Sequence, residues 1–147
     1  MSKRRVVVTG MGVLAPNGIG VEEFQRSIFS GKSGIGAITR FDAEKFKTKV
    51  AGEIKNFDPV DYMPVAIMRK TDRFAQLGIA SAKMALEDAK LNKGDSLLLE
   101  AAIIIGSGLG GSVFHEEMIM AYGDAQNPKK IAASSVPRIT PNAVSAY

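Results

Sequence analysis

The sequence predicts an α/β layered fold, and three observations carry that expectation. Two runs are continuously apolar in the manner of buried strands, "RRVVVT" at residues 4–9 and "AAIII" at residues 101–105. Each passes into a Gly-x-Gly turn, Gly10-Met11-Gly12 and Gly106-Ser107-Gly108. Between them lies the strongest helical pattern of the chain, so the two strands read as parallel and joined through helices.

In chain order, "GMGVLAPNGIG" follows the first strand and reads as loop, with four glycines, a proline and an Asn-Gly pair. "VEEFQRSIFSG" places Val21, Phe24 and Ile28 on one helical face, carries acids in its first turn and stops at Gly31. Residues 32–68 are expected to be mostly irregular, with a short strand at "KVAGEI" and a turn at Asp58-Pro59. The long helix is "DRFAQLGIASAKMALEDAK", residues 72–90. Its stripe of Phe74, Leu77, Gly78, Ser81, Ala82, Ala85, Leu86 and Ala89 keeps helical spacing. Most of that stripe is small, which predicts close approach by a neighbouring element and a central position. Asn92-Lys93-Gly94 ends it. After the second strand, a helix is expected from about Ser112 to Tyr122. Thr140 is a plausible N-cap with Pro141 at the first helical position. That helix has run only about two turns at Tyr147, so the chain reads as the front part of something longer.

Composition narrows the function classes. The 147 residues are 46% hydrophobic and 23% charged, as in a soluble globular protein. No apolar run approaches the roughly 20 residues of a membrane helix. Lys3-Arg4-Arg5 and the apolar residues after it imitate a signal peptide, but Gly10, Gly12 and Pro16 interrupt them. A cytoplasmic location is therefore expected. The chain has no cysteine, which excludes a thiolate nucleophile, a disulfide and a Cys-based metal site within it, and its single histidine excludes a His-rich one. The net charge of +4 comes from clusters at Lys3–Arg5, Lys45–Lys49, Arg69–Arg73 and Lys129-Lys130. Most read as solvated surface, too short and too poor in aromatics for nucleic acid.

Gly106 to Gly111 spells G-x-G-x-x-G after an apolar run, the dinucleotide fingerprint. Three features oppose that reading. The acid expected about 20 residues on has only Asp124 as a candidate, in the apparent turn "YGDAQNPKK". Adjacent Gly110 and Gly111 are expected to loosen the helix start. The first strand has a similar turn, G-x-G-x-x-A ending at Ala15, where Pro16 would break the required helix.

"RRVVVTGMGVLAPNGIG", "MRKTDRFAQLGIASAKMALEDA" and "IIIGSGLGG" together resemble the β-ketoacyl-[acyl-carrier-protein] synthases, in order and spacing over nearly the whole chain. The elongating type II enzymes of bacterial fatty-acid synthesis and polyketide ketosynthase domains look nearest. The resemblance implies a thiolase-like five-layer α/β/α/β/α fold, of which this chain would be most of the first half, and a homodimer. It also implies acyl transfer from acyl carrier protein to a cysteine, then decarboxylation of malonyl-carrier protein aided by two histidines. In the family that cysteine lies shortly beyond the position of Tyr147, and both histidines lie in the second half. No catalytic residue is therefore expected in this chain. His115 matches neither histidine and reads as helix surface, and the isolated chain is expected not to condense anything. No cofactor or metal is implied.

What the resemblance carries over is binding. Leu109, between Gly108 and Gly110, matches a branched apolar residue that gates the acyl pocket, with the two glycines giving it freedom to move. Arg69 and Lys70 match a basic pair that docks the acidic carrier protein; Ala66 stands where some relatives are basic, which weakens the patch. Lys129 and Lys130 match a second such pair. Ser134-Ser135 replace two phenylalanines that many elongating relatives place before Val136-Pro137, which leaves chain-length preference open. Four readings remain: an elongating synthase, a polyketide ketosynthase or non-catalytic chain-length-factor-like partner, an NAD(P)-dependent oxidoreductase, and a module binding an acidic partner through Arg69 and Lys70. Nucleic acid and membrane are not expected partners.

Overall fold

The computed structural model describes residues 4–147, except for the side chains of Ala125 and Lys130. Lys3, in the N-terminal basic cluster, and the Lys130 side chain therefore lie outside the described residues. In chain order the elements are β1 (Leu14–Ala15), β2 (Gly18–Ile19), α1 (Val21–Phe29), β3 (Ile35–Ala37), β4 (Val50–Gly52), α2 (Val65–Met68), α3 (Arg73–Asp88), α4 (Ser112–Ala125) and α5 (Ser135–Ile139). Single 3-10 turns stand at Pro59–Asp61, Ser96–Glu100, Pro128–Lys130 and Pro141–Ala143. The chain divides into two compact units, residues up to 57 with 83–92, and residues 58–82 with 93–147.

In the first unit, the segment expected to be loop contains a tight antiparallel ribbon. Leu14 pairs with Ile19 and Ala15 with Gly18, around Pro16-Asn17. The Ile19 N–H donates to Glu23 Oε2 at 2.9 Å, joining the ribbon to the first turn of α1. Helix α1 forms where its pattern predicts, with Val21 and Phe24 half-buried, although Ile28 is exposed. The "KVAGEI" expectation also holds: β4 pairs antiparallel with β3, Ile35 opposite Gly52. The Glu53 carboxylate then closes this hairpin. It accepts from the Thr39 hydroxyl at 2.6 Å and from the N–H groups of Thr39 and Arg40. Those bonds, the Thr39 hydroxyl foremost, hold the Glu53 carboxyl below the usual glutamate range.

The small-residue stripe of α3 works as the sequence implies. In the first unit, Gly10 sits so close to the end of the helix that a Cβ there would lie 2.2 Å from the Ala85 carbonyl oxygen. The next residue, Met11, donates its N–H to Asp88 Oδ2 at 2.9 Å. In the second unit, Gly78 faces Val144, and a Cβ would come within 2.6 Å of its Cγ1. Ala75, Ala143 and Val144 form the buried cluster of that unit, with Phe74 and Ile79 packed on it.

The rest of the second unit is helical. Asp58 Oδ1 accepts from the Val60 N–H and opens the turn expected at Asp58-Pro59. Helix α4 starts at Ser112 as expected and continues three residues past Tyr122, so Asp124 lies in its last turn rather than in a loop. Helix α5 and the turn at Pro128–Lys130 both pack on α4.

Three expectations fail. Residues 4–13 and 101–107 contain no strand. Val6 and Val8 are 88% and 81% exposed, and Ile104 is 90% exposed. A strand's N–H and C=O groups need a ladder partner, and among the described residues none runs beside either segment. The parallel pair read from sequence is therefore absent, and the pairs that form are short and antiparallel. At the C-terminal end, Pro141 occupies the first position of a turn as expected, but that turn is 3-10, Pro141–Ala143. Thr140 contributes no side-chain cap bond to it.

Candidate functional site

All the candidate binding residues belong to the second unit. Arg69 and Lys70 follow α2 and are exposed, with their N–H groups bonded back to the carbonyls of Val65 and Ile67. Lys129 is exposed in the turn after α4, its N–H donating to Asn127 Oδ1 at 3.0 Å. Ser134 is exposed, whereas Ser135 is buried and gives its hydroxyl to the Ala132 carbonyl at 2.6 Å. His115 is exposed on α4, as its sequence position implies.

The glycine-rich turn has two unlike halves. At Gly106 and Gly108 an added Cβ would meet nothing within 4 Å. The Ser107 hydroxyl accepts from the Gly110 N–H at 3.1 Å, closing a short loop on which Leu109 stands 81% exposed. The second half is pinned. Gly110 has φ of +65°, a conformation that favours glycine, and a Cβ there would lie 2.3 Å from the Ile139 carbonyl oxygen. A Cβ on Gly111 would lie 2.6 Å from the Arg138 carbonyl oxygen and 2.9 Å from Asp72 Oδ2, while the Gly111 N–H donates to the Ile139 carbonyl at 2.8 Å. Adjacent glycines thus do not loosen the start of α4; they let it pack tightly. Of the two glycines flanking Leu109, Gly108 is open and Gly110 is packed.

The anchor is a group of residues to which the sequence reading gave no role. The N-cap of α4, Gly111, has no side chain, and no acid lies in the first turn. Asp72 supplies both the acceptor and the charge from 42 positions away: its Oδ2 accepts from the Phe114 N–H at 3.2 Å. Its Oδ1 accepts from the Arg73 N–H, and its own carbonyl accepts the first bond of α3, from Gln76. Arg138 lies over the Phe114 ring at 3.7 Å and donates from Nη2 to the Thr71 carbonyl at 3.3 Å. Thr71 and Asp72 are themselves buried. The sequence signal was an acid immediately before a periodic apolar run, but its long-range partner has no local signature.

This geometry removes the dinucleotide reading. A pyrophosphate on this fingerprint would sit on the first N–H groups of α4. The Asp72 carboxylate holds that place, and its negative charge opposes a phosphate there. The glycines serve packing and one positive φ.

The comparisons with known proteins agree with the family resemblance. The model of the β-ketoacyl synthase N-terminal domain matches residues 3–147. The 3-oxoacyl-[acyl-carrier-protein] synthase 2 of Vibrio harveyi is 42% identical over 144 residues, which is 98% of this chain and 34% of the relative. The protein of the same name from Coxiella burnetii is 39% identical over 137 residues, 93% of this chain and 33% of the relative. Among solved structures, the ishigamide ketosynthase/chain length factor superposes with a TM-score of 0.79 at 31% identity, over 95% of this chain and 34% of that one. The chain spans about a third of the length of the curated relatives it matches, and over that span it has the thiolase-like ketosynthase fold. It belongs to the β-ketoacyl synthase family, whose N-terminal domain it matches from residue 3 to residue 147.

Proposed function

We propose that the chain is the N-terminal region of a 3-oxoacyl-[acyl-carrier-protein] synthase that elongates acyl chains by decarboxylative condensation with a malonyl group on the carrier protein. The observation that supports this most is continuous similarity: relatives of that name align over 93–98% of the chain at 39–42% identity. Residues 1–147 hold no cysteine, so the cysteine nucleophile of this reaction comes from outside them; by the family resemblance the two histidines do as well, and the segment alone forms no product. Its own share is to shape the acyl pocket and receive the carrier. Leu109, exposed on the loop closed by Ser107, is the pocket gate. Arg69 and Lys70, with Lys129 and Lys130, form the docking surface for the acidic carrier, an interaction sensitive to salt and expressed largely in the on-rate. The whole protein is read as a cytoplasmic homodimer.

A polyketide ketosynthase is the second reading. It is favoured by the similarity to the ishigamide ketosynthase/chain length factor and by Ser134-Ser135, a smaller and more polar pair than the phenylalanines of many elongating relatives.

The test is the purified natural gene product supplied with acyl- and malonyl-carrier protein. The expected result is a 3-oxoacyl-carrier product released with carbon dioxide and one free carrier protein, with KM for the carrier rising in R69E/K70E and with added salt. Absence of product from the full-length protein, with both thioesters intact, would overturn the reading.

A further inference from the structure

The geometry assigns Asp72 as the positioning residue of the Leu109 turn. It touches neither Leu109 nor any reacting atom; it acts through the start of α4. Its two carboxylate oxygens are divided between two helices, Oδ1 to the Arg73 N–H at the start of α3 and Oδ2 to the Phe114 N–H at the start of α4. Gly111 lies against the same Oδ2: a Cβ there would come within 2.9 Å of it and within 2.6 Å of the Arg138 carbonyl oxygen. Asp72 therefore fixes the point from which the Ser107–Gly110 loop projects. The Ile139 carbonyl accepts the Gly111 N–H at 2.8 Å and holds the same point by a second bond. Leu109 stands two residues from a fixed pivot and in open surroundings, an arrangement that lets a side chain move while its origin stays in place.

The alternative is that Asp72 is only a cap that stabilises the fold. The division of its oxygens separates the two cases. Ala at position 72 has no side-chain acceptor, so both the Arg73 bond and the Phe114 bond are lost. The fold keeps its apolar cluster of Ala75, Ala143 and Val144, which does not include position 72. What changes is the pivot.

The consequence for substrate choice rests on the synthase reading above; the pivot itself does not. The experiment uses the full-length natural protein with Asp72→Ala, read twice. Amide hydrogen exchange, measured without substrate, should quicken about tenfold at Phe114 and Gly111, the scale of one charge-assisted hydrogen bond, with the middle of α3 unchanged. In the condensation assay the ratio of kcat/KM for long against short acyl groups should shift about threefold or more, as misplacement of a substrate-contacting group implies. Arg138→Met keeps a stem over Phe114 and removes a guanidinium whose Nε is buried without a partner among the described residues, so it is expected to fold and to move both readouts the same way by less. Unchanged exchange at Phe114 overturns the inference, as does a uniform fall in kcat/KM for all acyl lengths. If the parent protein makes no product, the synthase reading fails and the exchange result decides the pivot by itself.

Discussion

Ile104 and Phe114 are ten residues apart and equally at home in a core, yet one is 90% exposed and the other 5%. The difference lies in what each backbone needs. Helix α4 satisfies its N–H and C=O groups internally, except at its ends, and one carboxylate from Asp72 completes the first turn. It then needs only one covered side, which Arg138 and α5 provide. A strand through Ile103–Ile105 has no internal partner, and its burial depends on neighbouring strands. Hydrophobicity does not bury a segment until its hydrogen bonds have somewhere to go. The same contrast separates Val6–Val8, exposed and outside any strand, from Gly10, pressed against Ala85.

Substitutions on the packed side of this comparison should have the largest effects. Gly10→Val drives a side chain into the Ala85 carbonyl and the Ala89 N–H, both backbone and unable to yield; a loss of about 3 kcal/mol in chemical denaturation is expected. Gly78→Val meets the stiff Val144 side chain in the buried cluster and should cost about 2 kcal/mol, against the gain that Gly replacement in a helix ordinarily brings. Val144→Ala should restore part of that loss in the double mutant, because it removes the colliding methyls. A smaller effect attends pH. Glu53 is held below the usual glutamate range by Thr39 and Arg40. Its contribution to the β3–β4 hairpin is thus complete above the unfolded glutamate pKa and lost as pH falls through the lowered folded value. An NMR titration should show the Thr39 amide shifting with Glu53, and Glu53→Gln should abolish that shift. On the bare side, Ile104→Ser should change the stability of residues 1–147 by less than about 0.5 kcal/mol. A loss of several times that size would show that these isoleucines are packed.

Elements that rest on local chemistry were legible in the sequence. Helix α3 was readable from its periodic small stripe, α1 from its acids and the stop at Gly31, and β4 from "KVAGEI". The family was readable from three motifs in series. Two kinds of feature were not. Strand existence at 4–9 and 101–105 depends on ladder partners, which a local sequence pattern does not reveal. The Asp72–Phe114 bond spans 42 positions, and Arg138 had no motif at all. The glycine turn was half legible: its match to G-x-G-x-x-G was plain, but only contact geometry shows that Gly110 and Gly111 are packed while Gly108 is open.

Residue-resolved amide exchange on the 147-residue chain tests the contrast most directly. The predicted result is exchange near the free-chain rate at Ile103, Ile104 and Ile105, with Gly111 and Phe114 protected by their bonds to Ile139 and Asp72. Protection at the three isoleucines equal to that of Phe114 would contradict the account.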